Sequence, residues 1–159
     1  MVVHKLTLDS STDIPFSLIA IHTSLEDYHL AFLINQKLPV LLSKHSEDVQ
    51  LTSGNRELYF SRFSYENLKY DTLWDLIRNK STMEIDAKDF DVNATSPLFA
   101  VSTTAYLLSD FKKVDYFLKI QNFEESLDSI ISARSTIQRI ESIYLISEHQ
   151  IKSKNNLIF

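Results

Sequence analysis

Three observations predict an α+β fold: a single domain with a largely antiparallel sheet, two main helices packed on it and a C-terminal strand-helix-strand unit. Short runs rich in β-branched and aromatic residues recur along the chain, which is the pattern of strands. Only two longer runs combine helix formers with a start signal. Polar turns join these runs with no linker, repeat or low-complexity tract. With 44% hydrophobic and 11% aromatic residues, 159 residues supply the apolar mass of one core, so 1–159 is read as one domain.

Val2 to Leu8 alternates as a first strand, and Ser10 to Pro15 is a polar turn before a second strand at Phe16 to Ile21. Ser24 with Asp27 three residues on is an acidic variant of the capping box, so the first helix is expected over Leu25 to Lys37, ended by Pro39. Its apolar residues, Leu25, Tyr28, Leu30 to Ile34, predict a wide apolar surface. Val40 to Leu42, Glu57 to Tyr65 and Thr72 to Arg78 then read as strands of an antiparallel meander, and Ser81 to Thr95 as a surface excursion. Ala100 to Leu108 and Val114 to Ile120 are further strands. Asn122 with Glu125 is the start signal of the second helix, where Leu127, Ile130, Ile131, Ile137 and Ile140 recur near helical spacing. Ser142 to Ile146 closes the chain's last strand, parallel to Val114 to Ile120 if both lie in one sheet.

Composition removes several chemistries. Gly54 is the single glycine, against average usage of about 7%. Dinucleotide fingerprints, P-loops and nucleophile elbows need glycine where backbone approaches a phosphate or turns through positive φ, and none can be written here. No cysteine is present, which excludes disulfides, thiolate zinc sites and cysteine nucleophiles. The longest apolar run, Leu30 to Ile34, is too short to span a bilayer, and the N-terminus lacks an apolar signal core. A soluble cytoplasmic protein with no membrane association is expected. The net charge of −5 disfavours RNA as a partner, although acids outnumber bases only up to residue 111.

No catalytic, cofactor or metal set emerges. Glu26 and His29 have the spacing of one arm of a di-metal site, but no second arm exists, and the five histidines are scattered. Asp89-Phe-Asp91-Val-Asn93 starts like a calcium loop and fails at Ala94 and Ala100. Arg56 to Phe63 interleaves bases and aromatics in the manner of an RNA-stacking strand, with Glu57 and Tyr59 at positions where that motif takes small residues; the competing reading packs Tyr59, Phe63 and Tyr65 under a helix. The terminal Leu157-Ile-Phe159 either docks on the core or is offered to a partner.

Leu108-Ser-Asp-Phe-Lys-Lys-Val-Asp-Tyr116 resembles the signature of the IPExxxVDY family of small bacterial proteins, matching fully in its Val-Asp-Tyr half and departing at Leu108, Ser109 and Asp110. Ser24 to Ala31 and Lys152 to Phe159 are similar to the same family. The resemblance implies a divergent member, a bacterial single-domain protein, and transfers no catalytic residue. It also points to a shared surface of Asp27, Tyr28, Asp115, Tyr116, Lys152, Lys154 and Phe159. The expected function is a non-catalytic interaction or regulatory protein with a protein partner; an RNA-associated accessory protein and an enzyme with an acid-base site are the alternatives.

Overall fold

The computed structural model describes residues 14–85 and 101–159. The strand expected at Val2 to Leu8, and most of the excursion after Ser81, lie outside them. A six-stranded sheet, antiparallel throughout, forms the centre. Its strands are β1 (Phe16–Thr23), β2 (Ser43–Lys44), β5 (Arg62–Asn67), β6 (Thr72–Arg78), β9 (Tyr116–Gln121) and β10 (Ile140–Ile146), in the spatial order β10-β1-β9-β6-β5-β2. Two hairpins stand apart from it, β3 (Val49–Ser53) with β4 (Arg56–Phe60), and β7 (Lys80–Ile85) with β8 (Val101–Tyr106).

Alternation along the strands gives the sheet two buried faces. One carries Ile19, Ile21, Trp74, Leu76, Leu118 and Ile120 and is covered by the helices α1 (Asp27–Lys37) and α2 (Asp128–Ser132). The other carries Leu18, Ala20, Ile77 and Phe117 and packs against Val49, Leu58 and Phe60 of the first hairpin and Ile151 and Leu157 of the C-terminal segment. Burial on both sides explains why β6 and β9 read as nearly continuous apolar runs although the sheet is antiparallel.

The strand-helix-strand unit takes a split form. Strands β9 and β10 are both antiparallel to β1 and hence parallel to each other, with β1 inserted between them. The second helix is shorter than its periodicity predicts: α2 is five residues and continues as a 3-10 turn over Ala133–Ser135. The expected start signal is not used: Asn122 sits in left-handed backbone at φ 55° and Leu127, not Asn122, is the N-cap. Ser132 Oγ donates to Ser129 O at 3.0 Å, Ser135 Oγ to Ser132 O at 2.6 Å and Thr136 Oγ1 to Ala133 O at 3.0 Å, and Ala133 O also accepts from Ile137 N at 2.9 Å. Ile130, Ala133 and Ile137 still reach the core, while Ile140 opens β10.

Helix α1 starts two residues later than expected. Ser24 does not cap it; Glu26 occupies the N-cap in extended backbone, with no side-chain cap. Leu38 ends it at φ −119°, ψ 153°, the extended conformation that a following proline imposes. Leu30, Ala31 and Ile34 are buried, but Tyr28 and Phe32 face solvent, so the apolar surface is narrower than its composition predicts.

The expected strand Glu57 to Tyr65 is broken at Ser61 into β4 and β5, which belong to different sheets, so the expected meander is interrupted by a separate hairpin. Tyr59 therefore parts from Phe63 and Tyr65: it is exposed on the hairpin and donates to Glu57 Oε2, while the other two join the helix-side core. Gly54 turns that hairpin at φ 62° with open space where a Cβ would sit, so backbone conformation alone selects glycine there. Elsewhere among the described residues the left-handed positions go to Asp71, Asn122 and Arg139.

Candidate binding cleft

A cleft of about 890 Å³ opens on the helix face at the end of the sheet where β1 begins and β9 ends. Strand register builds it. Tyr65 pairs with Trp74, Trp74 with Ile120 and Ile120 with Ser17, so one cross-strand row over four strands forms the floor. The next positions outward form the rim: Asn67 pairs with Thr72, and Asn122 N donates to Pro15 O at 3.3 Å. Val40 beyond α1 and Phe123 before α2 form side walls, and the Phe123 ring meets Trp74 edge-on at 5.4 Å. Trp74, the single tryptophan, is only 5% exposed.

Two left-handed residues shape this rim. Asp71 (φ 53°) and Asn122 (φ 55°) occupy a conformation that aspartate and asparagine tolerate better than most side chains. Asn122 Nδ2 donates to Asp71 O at 3.0 Å and ties the β5–β6 turn to the end of β9. Three carboxylates, Asp71, Glu124 and Glu125, line the opening, all exposed and none with an ion-pair partner among the described residues. Among the described residues the lining holds no lysine, arginine or histidine.

The residues singled out from the sequence lie elsewhere and do not form one surface. Asp115 and Tyr116 sit at the opposite end of β9, where they hold the chain leaving β1. Asp115 Oδ2 accepts from Thr23 N at 3.0 Å, and Oδ1 pairs with Lys80 Nζ at 2.8 Å. Tyr116 is buried and its hydroxyl donates to Leu25 O at 2.8 Å. Burial pushes its pKa up to about 12; nearby Arg78 opposes the shift, while Asp27, Glu26 and Asp115 add to it. Asp27 is close by at the start of α1, accepting from Ser61 Oγ at 2.5 Å. Tyr28 is 67% exposed with its ring beside His29.

The tail residues belong to the other face of the sheet. Leu157 is buried and its carbonyl accepts from Lys119 Nζ at 2.5 Å, so the C-terminal segment docks. Phe159 lies over Lys119 Nζ at 4.4 Å and the Arg62 guanidinium at 4.5 Å. Beneath it Asp75 accepts from Arg62 Nε at 2.8 Å and Ser64 Oγ at 2.5 Å. Burial lowers the Lys119 pKa, with Asp75 pulling it back up and Arg62 pushing it further down. Lys154 pairs with Glu148, holding that carboxyl below its ordinary range, and Lys152 is exposed.

Sequence reasoning missed the cleft because its floor joins residues 17, 65, 74 and 120, which only register brings together. It also missed Asn79, wholly buried between β6 and β7. Its Nδ2 donates to Phe111 O and Val114 O, both at 2.9 Å, and its Oδ1 accepts from Leu108 N at 3.0 Å.

Comparison of the chain with protein-family models, with curated proteins and with solved structures finds no match. No three histidine, aspartate or glutamate side chains among the described residues group to hold a metal ion, and none of their helices is long and apolar enough to cross a membrane.

Proposed function

We propose that this protein is a non-catalytic binding module that acts by holding a small molecule in the cleft over Trp74. The observation that carries this reading is the floor itself: a built row of Tyr65, Trp74 and Ile120, walled by Phe123 and edged by Asn67, Thr72 and Asn122. Ligand sites combine such an apolar, aromatic body with a few polar groups that fix orientation, at volumes of roughly 300–1,000 Å³. The enzyme reading has less support, because the three carboxylates here are exposed and a general acid needs desolvation to be tuned. RNA association has less support still. Bases and aromatics of Arg56 to Phe63 are divided between two sheets, and the cleft presents acids where phosphate would need cations.

The same proposal takes the chain as a divergent IPExxxVDY protein. Val114 is buried, Asp115 binds Thr23 N and Tyr116 binds Leu25 O, so each residue of the Val-Asp-Tyr half has a folding role that members sharing this fold would need. A thermal-shift panel of cationic, neutral, anionic and sugar compounds tests the binding reading. Hits are expected to raise Tm and change Trp74 emission together; hits that stabilise without touching Trp74 would place binding elsewhere.

A further inference from the structure

We infer that the cleft takes a small organic cation with an apolar or aromatic body, an inference that rests on the cleft being the binding site. Two independent features of the lining agree. Its interior is aromatic, with Tyr65, Trp74 and Phe123 together, and aromatic rings attract ammonium and guanidinium groups through their negative faces, as Lys69 Nζ already shows over Tyr70 at the mouth, 5.0 Å from the ring centroid. Its opening carries Asp71, Glu124 and Glu125, and the described lining residues include no base, Lys69 standing beside Tyr70 at the edge.

Ion pairing elsewhere is partial: Asp27, Glu66, Asp128 and Glu141 also have no ion pair among the described residues, while five other carboxylates do. Glu26 pairs with Arg78, Asp48 with Lys44, Asp75 with Arg62, Asp115 with Lys80 and Glu148 with Lys154. The three cleft carboxylates have no such partner among the described residues, so their summed field is left to whatever enters. An anion would meet repulsion on entry and find only neutral donors such as Asn67 and Asn122 inside. A neutral sugar would find ring faces and amides, but gains little from three charges. A cation uses both features at once.

The occupant is a small molecule. The floor spans four strands, about 14 Å at ~4.8 Å per strand spacing, and the volume is that of a site for one compact ligand. Asn67, Asn122 and Thr72 at the rim supply hydrogen-bonding groups for a polar substituent.

The test titrates the full chain while following Trp74 emission, using benzyltrimethylammonium, benzyl alcohol and benzoate as probes of matched size and different charge. The wild type is compared with the D71N/E124Q/E125Q variant, whose three positions are all exposed. Asparagine tolerates the positive φ at position 71 as well as aspartate does. Saturable quenching by the ammonium probe, at least tenfold tighter than by benzyl alcohol and absent with benzoate, is expected. The variant should weaken the cation about tenfold, since exposed ion pairs contribute modestly each, and leave benzyl alcohol unchanged. Equal affinity for the cation and the alcohol, or a variant that binds the cation as the wild type does, overturns the cation inference and leaves the cleft a binding site. No response of Trp74 to any probe, or to the wider panel above, overturns both.

Discussion

Asn122 and Asp71 lie fifty-one positions apart, both in left-handed backbone, and the Asn122 side-chain amide donates to the Asp71 carbonyl at 3.0 Å. This pair holds the turn after β5 against the end of β9 and so fixes the mouth of the cleft. Asn122→Ala is expected to destabilise the protein by about 1–3 kcal/mol, combining a lost hydrogen bond with an alanine forced to positive φ. Asn122→Gly removes only the hydrogen bond and should lose less. Urea melts of the two variants check the order; an alanine variant as stable as the glycine one would show that backbone conformation does not matter there.

Asn79 binds three backbone groups from within the core, so Asn79→Ala takes this partner from Leu108 N and Val114 O, while Phe111 O keeps its bond from Val114 N at 3.0 Å. A loss of about 3 kcal/mol or more is expected from orphaned buried groups at ~1–3 kcal/mol each. Asn79→Asp keeps the acceptor and loses both donors, and should also be strongly destabilising. Denaturant midpoints measure both.

Tyr116 gives the molecule an alkaline limit. Its folded pKa of about 12 exceeds the ordinary phenol value of 10.0, so the folded state holds the phenol proton more tightly than the unfolded chain. The stability this contributes is full below pH 10 and is lost as pH rises towards 12. Tyr116→Phe should cost about 1–2 kcal/mol at neutral pH through the Leu25 carbonyl left behind, and should flatten the stability profile between pH 10 and 12. An unchanged profile in the variant would assign the alkaline loss to other groups.

The tail separates packing from exposure at adjacent residues. Leu157 is buried against the hairpin-side core, whereas Ile158 is 72% exposed. Leu157→Ala should cost about 2–5 kcal/mol, and Ile158→Ala should stay within about 0.5 kcal/mol. Similar melting temperatures for the two variants would mean that the segment is not docked in solution.

Local signals were enough for the elements that local physics controls. The run Thr72 to Arg78 is β6 at both bounds, and Phe16 to Ile21 falls within β1, because branched and aromatic residues there leave little alternative. The α+β class and the parallel relation of β9 and β10 also follow from the order of elements. The break at Ser61 did not show, since nothing in Arg56 to Phe63 marks where a strand changes sheets. The late start of α2 did not show either, since Asn122 and Glu125 form a start signal that the left-handed backbone at Asn122 leaves unused.

Site residues divided in the same way. Asp115 and Tyr116 stood out as a motif, and contacts give them folding roles. Trp74 and Tyr65 looked like ordinary strand aromatics until register aligned them with Ile120 and Ser17. Glu125 read as part of a helix start with Asn122, and with Glu124 it gained another meaning only from standing beside an aromatic cleft.

Binding in the cleft over Trp74 is the central claim for this protein. A ¹H–¹⁵N correlation spectrum of the full chain, recorded while a mixed fragment set is added, tests this most directly. The Trp74 indole signal and the side-chain amides of Asn67 and Asn122 should move, while those of Asn79 and Asn156 stay fixed. Shifts confined to Tyr28 and Phe32 on α1, or to the tail around Phe159, with Trp74 unmoved, would contradict it.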